Sequence, residues 1–412
     1  MHEFITFYQG KWWHFFMKPF YGLCVRKKEG SRFSNFEVLL GEACEDFYAI
    51  SAGNGIHLVC QNKAGHIVYL FMEQDVWRKT VLLESKEAKA YPKHFRLISV
   101  GGFINLFYTI LHKDKYLLIH QIITAEDRPP TVVDAVQPSA TPFWVQMCNG
   151  TDITVLYENA KGVSGSRIYR WSRKAFSRFM PIHPAAKCIV KSFWPEADGR
   201  MHYAAFQQVE GFYNLVYFRQ EQDGSYTEPV TVYLDCPAEV LPVFSRLENT
   251  QYLVWQEQGG IFSVRWQAEE ERWSKPVRYM IPAGMETVLY HISNGNDVRY
   301  GYGYGTGQEI VIYGAEGLAE PKQEPADSQW KPVGYEVEAF AESMGAGIGA
   351  PVASQAPILE QMKEELVRIK EQIFRLRIEN KELTERLEAV EEKMRVPLAD
   401  ETVIDEILLL DE

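Results

Sequence analysis

Five side chains on the predicted first strands of an internal repeat are the main candidates for ligand contact. They combine positive charge with aromatic surface and are Arg96, Trp144, Lys191, Arg246 and His291, with Tyr8 and Tyr48 in comparable places. Such groups bind anionic oxygens through charge-assisted hydrogen bonds and stack on rings or cations. If they converge, they predict a cationic, aromatic mouth for a carboxylated sugar, a phosphate or an acidic peptide. The alternative is that they divide between packing and solvent.

The other motifs predict no catalytic residue, no metal site and no cofactor. The glycine-rich run 301–307 has no following helix and no GK[ST] sequence, which a phosphate loop requires. Its alternating glycines predict instead a strand that another backbone can approach closely. Glu196, Asp198 and His202 are close in sequence, but they lie on a turn and an adjoining strand, so we expect no metal there.

The elements that must position the candidate residues come from a repeat of about 45–50 residues, found seven times. Each copy has an apolar strand, a turn, and three further strands rich in β-branched and aromatic residues. The first turns fall near Gly10, Gly55, Gly102, Gly150, Gly199, Asn249 and Asn296. The predicted second strands are 12–16, 56–60, 104–109, 153–157, 201–206, 252–255 and 298–302.

Four-strand copies at this period are typical of β-propeller blades. The chain resembles β-propellers of the broad sialidase-like or WD40-like kind over residues 1–341. The fold class is therefore predicted to be all-β, with seven blades, or six if the first copy is an N-terminal extension. The Gly-His and Trp-Asp signature of WD40 blades is absent. The fragment 196–199 lacks the Ser/Thr and Trp of the sialidase box. The resemblance implies ligand binding at the central channel.

A flexible linker and a helix follow the repeats. Residues 342–357 are rich in small residues and proline, which predicts the linker. Residues 358–395 carry an unbroken 3-4-3-4 pattern that predicts a left-handed coiled coil. Its seam is Leu359, Met362, Leu366, Ile369, Ile373, Leu376, Asn380, Leu383, Leu387, Val390 and Met394.

The seam and its flanking charges predict a parallel homo-oligomer. Asn380 falls at an a position, where a buried amide fixes the register and favours a dimer. Glu365 and Lys370, like Arg386 and Glu391, are opposite charges at g and the following e position. Leucine at a with β-branched residues at d leaves a higher oligomer open, and a helix folded back on the propeller is the alternative.

The acidic tail, residues 396–412, contains a short amphipathic segment at 400–412 that alternates acidic with apolar residues. It predicts a docking peptide for a basic, groove-bearing protein partner. The alternative is a solvated tail.

Charge is distributed unevenly along the 412 residues. Of the net charge of −12, segment 315–357 carries −5 and segment 358–412 carries −7, so residues 1–314 are neutral. This balance argues against a nucleic-acid partner. No membrane span or signal peptide is evident, and the six cysteines form no CxxC pair. These features predict a cytoplasmic protein.

Two functional hypotheses follow from the sequence. The first is a non-enzymatic, oligomeric binding or scaffold protein that presents propeller surfaces through the coiled coil, since linked copies gain avidity. The second is a sialidase-like propeller hydrolase or lyase acting on an anionic glycan. The absence of catalytic motifs favours the first.

Overall fold

The structure is a computed structural model. It describes residues 2–29, 32–53, 55–86, 91–123, 129–182, 188–196, 199–209, 211–247, 250–257, 259–294, 297–306 and 309–312. The chain divides into two compact units, Met1–Pro332 and Val333–Glu412, and the described residues all belong to the first. The predicted linker, coiled-coil seam and acidic tail therefore lie outside the described residues and stay predictions.

The described residues form thirty β-strands in seven successive meanders. The first contains β1 (His2–Tyr8), β2 (Lys11–Lys18), β3 (Gly22–Glu29), β4 (Arg32–Phe33) and β5 (Glu37–Leu40). The second contains β6 (Ala43–Ala52), β7 (Gly55–Asn62), β8 (Ile67–Glu73) and β9 (Val76–Leu83). The third contains β10 (Arg96–Val100), β11 (Phe103–His112), β12 (Lys115–Ile122) and β13 (Thr131–Val136).

The fourth meander contains β14 (Phe143–Cys148), β15 (Asp152–Glu158), β16 (Ser164–Arg170), β17 (Ala175–Phe176) and β18 (Met180–Pro181). The fifth contains β19 (Cys188–Pro195), β20 (Met201–Val209), β21 (Phe212–Gln220) and β22 (Val230–Tyr233). The sixth contains β23 (Val243–Leu247), β24 (Thr250–Glu257), β25 (Gly260–Gln267), β26 (Arg272–Trp273) and β27 (Val277–Met280). The seventh contains β28 (Val288–Asn294), β29 (Asp297–Thr306) and β30 (Glu309–Ile312).

Hydrogen bonding groups the seven meanders into six sheets. The strands within each meander are antiparallel, and meanders two to six each form a separate sheet. The first and seventh share one eight-stranded sheet, because β1 pairs in parallel with β28 from His2 opposite Leu289 to Phe7 opposite Asn294. The strand that opens the first meander thus also completes the last.

The first strands follow one another around a closed ring. Strand β1 contacts β6, and contacts continue from β6 to β10, β14, β19 and β23 in turn. Strand β23 contacts β29 of the seventh meander, and β28 returns to β1. The described region is therefore all-β and propeller-like. Within it we find no helix of the length and apolarity needed to cross a bilayer.

Burial decreases from the second strands to the fourth. Ile56, Leu106, Val155, Ala205 and Leu253 all lie on second strands and are fully buried. Every residue of β7 is buried on both faces, because neighbouring sheets cover both sides of it. In contrast, β9 is largely exposed. This gradient is expected where sheets pack face to face around an axis and leave their outer edges to solvent.

The predicted second strands are confirmed, since each lies inside the corresponding observed strand, as 56–60 does within β7. The close approach predicted for the glycine-rich run is confirmed at Gly303 on β29. A Cβ atom there would lie 2.3 Å from the Val311 carbonyl oxygen and 2.9 Å from Cα of Ile312. Glycine therefore allows β30 to pair closely with β29.

Candidate functional site

The structure brings together three of the five predicted site residues. The guanidinium carbon of Arg96 lies 5.6 Å from the Trp144 ring and 5.5 Å from the Tyr48 ring. The Tyr48 ring is in turn 5.2 Å from the His291 ring. All four residues are buried and come from the first strands of four different meanders. Three of the candidate residues therefore lie near one another in a buried group, and their role in ligand binding stays a prediction.

Phe4 and Tyr300 complete this group, which we call the axial cluster: Phe4, Tyr48, Arg96, Trp144, His291 and Tyr300. The Phe4 ring lies 4.7 Å from Tyr48 and 4.5 Å from His291. The Tyr300 ring lies 4.8 Å from His291 and 5.2 Å from Trp144. Trp144 belongs to the fourth meander and Tyr300 to the seventh, so aromatic rings meet across the ring of strands. This layer of the axis is packed.

The other predicted residues lie elsewhere. Lys191 is the extra residue of a β-bulge between Val190 and Ser192. Its ammonium group lies 3.4 Å from the carbonyl oxygen of Ala238 and 5.1 Å from the Phe206 ring. Arg246 is exposed and lines a separate cleft. Tyr8 lies at the end of β1, where its hydroxyl accepts a hydrogen bond from Gln9.

That cleft has a volume of about 1250 Å³ and is formed by the fourth, fifth and sixth meanders. Its walls come from the turns that follow the first strands of these meanders and from the turn between β25 and β26. Two indoles stand beside basic and amide groups in its lining. The residues that matter for its chemistry are Trp194, Arg200, Arg219, Gln251, Arg265 and Trp266.

Hydrogen bonds from backbone amides to side-chain hydroxyls position two of the arginines that line the cleft. The amide of Arg219 donates to Oγ1 of Thr227 over 3.0 Å, and the amide of Arg265 donates to Oγ of Ser274 over 2.9 Å. The same link recurs at Ser34 and Ser177 in the first and fourth meanders. In each case the hydroxyl follows an aromatic residue, so an aromatic–Ser/Thr pair marks where the chain turns back onto the third strand.

A buried polar chain supports the cleft from behind. Burial raises the pKa of Tyr217, so its hydroxyl keeps its proton, and this hydroxyl lies 2.7 Å from Nδ1 of His202. Nε2 of His202 lies 3.0 Å from the Glu196 carboxylate. The Trp266 ring packs 5.3 Å from the Tyr217 ring. This chain fixes Glu196 on one wall and Trp266 on the other.

The charges in the lining are balanced. Four arginines and four glutamates contribute to it: Arg200, Arg219, Arg246, Arg265, Glu196, Glu269, Glu270 and Glu271. Arg200 pairs with Glu196 over 2.7 Å, and Arg219 is 4.0 Å from Glu271 and also pairs with Glu221. Nε2 of Gln251 is buried and has no hydrogen-bond partner. The cleft therefore offers donors, acceptors and ring surface together.

Metal ligation has little support in the described part of the chain, where no group of three His, Cys, Asp or Glu side chains is placed to hold an ion. Glu196 and His202 lie together, while Asp198 is outside the described residues. What the cleft can do chemically is to stack on a flat apolar face and hydrogen-bond around its edge.

The ring of meanders places this protein in the β-propeller fold class, and the similarity to one solved structure with a TM-score above 0.5 supports that placement. No protein-family model and no curated protein matches the sequence. A polysaccharide lyase of family PL25, an ulvan lyase solved with bound -[GlcA(1-4)Rha3S]-, has a TM-score of 0.51 at 10% identity, over 75% of this chain and 91% of the lyase. The six-bladed lectin of Aleuria aurantia has a TM-score of 0.40 at 12% identity, over 69% of this chain and 96% of the lectin. These similarities concern the fold.

Proposed function

We propose that this protein is a non-enzymatic binding protein whose cleft, at the fourth to sixth meanders, takes a polyhydroxylated ligand, a saccharide chain. The observation that carries the proposal is the pairing of Trp194 and Trp266 with arginines, glutamates and the unpartnered Gln251 amide. Sugars present flat C–H faces that stack on indoles and hydroxyls that need both donors and acceptors. Buried ligand sites generally combine such ring surface with a few placed polar groups.

The placement of charge suggests which saccharides fit. Arg200 and Arg219 already have carboxylate partners within the cleft wall. Arg246 and Arg265 are exposed on the opposite wall, where a uronate or sulfate substituent would meet them. An arginine fork favours such planar or tetrahedral oxyanions. We therefore expect acidic saccharides to bind more tightly than neutral ones.

The quaternary organisation extends this proposal. Seven meanders in a closed ring support a seven-bladed propeller spanning residues 1–341. The sheet that the first and seventh meanders share would close this ring. The linker at 342–357 and the coiled coil at 358–395 would join propellers as a parallel dimer and raise avidity for a repeating ligand. A cytoplasmic location and a basic protein partner for the 400–412 tail belong to the same proposal.

A glycan microarray probed with the full chain, followed by calorimetric titration of the strongest oligosaccharide, tests the binding role. Arg265→Ala should weaken the binding of an acidic saccharide by about tenfold, because one charge-assisted pair is lost. Trp266→Phe keeps an aromatic ring in the cleft wall and should weaken binding of the saccharide less. Arg78→Ala, an exposed arginine on β9, is the matched control. Saccharide binding that is unchanged by both cleft variants, or absent altogether, would refute the proposal.

A hydrolase or lyase acting on an anionic glycan is the second candidate. The observation in its favour is the chain of Tyr217, His202 and Glu196 in the cleft wall, since these are side chains that transfer protons. Against it, His202 and Tyr217 are only 2% and 4% exposed, so little of either side chain is open to a ligand, although His202 belongs to the cleft lining. Incubation with uronate-containing polysaccharides decides the matter: new double-bond absorbance or reducing ends would establish the enzyme.

A further inference from the structure

Arg96 in the axial cluster is a buried cation without an acidic partner. It is 8% exposed, and its Nη1 donates to the Phe95 carbonyl oxygen over 2.8 Å. Its Nε is buried and has no hydrogen-bond partner. Among the described residues no carboxylate lies within 4 Å of it, because Arg96 takes part in none of the ion pairs found there. Of its five N–H donors, the one on Nε is therefore buried and unused.

Two other arginines of the described region have carboxylate partners. Arg167 lies 3.6 Å from the Asp134 carboxylate, and Arg170 lies 2.7 Å from the Asp152 carboxylate. Both are more exposed than Arg96. Arg96 is therefore more deeply buried than these two arginines and lacks the carboxylate partner that each of them has.

Asp46, an acidic residue of β6, has backbone partners of its own. Oδ2 of Asp46 accepts hydrogen bonds from the backbone amides of Lys93 and His94, the latter over 2.8 Å. These bonds fix the segment that leads into β10. Asp46 consequently holds the backbone before Arg96 and forms no ion pair with its guanidinium.

Aromatic rings account for part of the stabilisation of Arg96. Its guanidinium carbon lies between 5.5 and 5.9 Å from the rings of Tyr48, Trp144 and Phe143. Such cation–π contacts stabilise the flat face of the group. They provide no hydrogen-bond acceptor for its Nε, and burying a charged group with an unsatisfied donor costs free energy.

We propose that Arg96 is the base of an anion site at the beginning of the first strands, which takes the carboxylate or phosphate group of a small ligand in a bidentate hydrogen bond. Tyr48, whose ring lies 5.5 Å from the guanidinium carbon, and Tyr300, whose ring lies 5.2 Å from Trp144, carry the neighbouring hydroxyls. Burial raises the pKa of both tyrosines, so both hydroxyls stay protonated.

This site is independent of the saccharide cleft. Arg96 and Trp144 lie in the first two residues of β10 and β14, whereas the cleft is built on turns that follow first strands. The two sites therefore occupy opposite ends of the first strands. Loss of one is not expected to affect ligand binding at the other.

The test is titration of the full chain with acetate, phosphate or sulfate at constant ionic strength, with chloride as the reference anion. Calorimetry and the thermal unfolding midpoint are the readouts. We expect saturable binding of carboxylate or phosphate, and the anion that saturates at the lower concentration identifies the ligand group. Arg96→Gln should weaken it at least tenfold. Arg96→Lys keeps the charge but loses the planar guanidinium fork, so its affinity for the anion should lie between those of the wild type and Arg96→Gln.

The exposed Arg78→Gln variant is the control and should bind as the wild type does. The proposal is overturned if the wild type shows no saturable effect beyond that of chloride, or if Arg96→Gln responds as the wild type does. Should Arg96→Gln fail to fold, the comparison of wild type with Arg96→Lys decides: equal affinities would show that the guanidinium fork does not hold the anion.

Discussion

Ser293 and Thr6 are joined by a buried hydrogen bond at the junction between the last and first meanders. Oγ of Ser293 donates to Oγ1 of Thr6 over 2.8 Å, and the amide of Ser51 donates to the Ser293 hydroxyl over 3.3 Å. The bond lies beside the parallel ladder of β1 and β28. One hydroxyl therefore connects the seventh, first and second meanders where the ring closes.

Replacing this hydroxyl should weaken the closure. Ser293→Ala leaves the Thr6 hydroxyl and the Ser51 amide without their partner in a buried place, which costs about 1–3 kcal/mol. Urea denaturation should show this loss in the free energy of unfolding. Ser225→Ala, which removes an exposed hydrogen bond to Asp223, should change it by less than about 0.5 kcal/mol. Equal effects would contradict a special role for the junction.

Buried histidines should make the fold sensitive to acid. Burial lowers the pKa of His57 to about 4, from an ordinary value of 6.5. Between these values the unfolded chain binds more protons than the folded one, so stability is full above pH 6.5 and decreases as the pH falls towards 4. His57→Gln should reduce the slope of unfolding free energy against pH by up to about 1.4 kcal/mol per unit.

Denaturation series at several pH values between 4 and 7 measure that slope. The exposed His112→Gln variant is the control and should keep the wild-type slope. His120 is a second case, since burial lowers its pKa to about 4 as well. A wild-type slope in the His57 variant would show that this ring does not bind the proton on unfolding.

A methyl group at Gly303 should separate two strands. Gly303→Ala places Cβ within 2.3 Å of the Val311 carbonyl oxygen, so β30 must shift. Overpacking of this kind costs about 1–3 kcal/mol. Gly41→Ala is the matched control, because its nearest neighbour is a carbonyl oxygen at 3.9 Å. Thermal unfolding of the two variants should separate them by several degrees, and equal midpoints would contradict the close approach.

The predicted coiled coil can be tested directly by light scattering coupled to size exclusion. The full chain should be an oligomer, and residues 1–341 alone should be monomeric. Asn380→Leu should stabilise the assembly but broaden its distribution of sizes, because the buried amide specifies register. Lys381→Ala, at an outer position, should leave the distribution unchanged. Monomers for both the full chain and residues 1–341 would eliminate the coiled coil.

The repeat predicted the strands well because its signal is local. The predicted second strand 56–60 lies within β7, since its alternating apolar residues are buried between two sheets. Arg96, Trp144 and His291 lie near one another, because equivalent positions on first strands meet near the axis. Lys191 was not, because a bulge at that residue changes the direction of its side chain and no local pattern announces it.

The cleft could not be predicted in the same way. Trp194, Arg219 and Trp266 come from two meanders. Trp194 lies on a first strand and the other two on third strands, so no single sequence spacing relates them. One signal was available: the aromatic–Ser/Thr pairs Tyr226-Thr227 and Trp273-Ser274 mark equivalent links. The hydroxyl residues lie eight and nine residues after Arg219 and Arg265, so aligning the copies on those pairs with one gap brings the two arginines to matching positions.

The parallel pairing of β1 with β28 has a consequence for synthesis of the chain. His2 leaves the ribosome well before its partner Leu289, and at 5–20 residues per second the delay is roughly 15–60 s. Throughout that interval one edge of an aromatic, apolar strand has no native neighbour. Nascent chains on the same messenger could pair through it, so a cell must protect this edge until the last meander emerges.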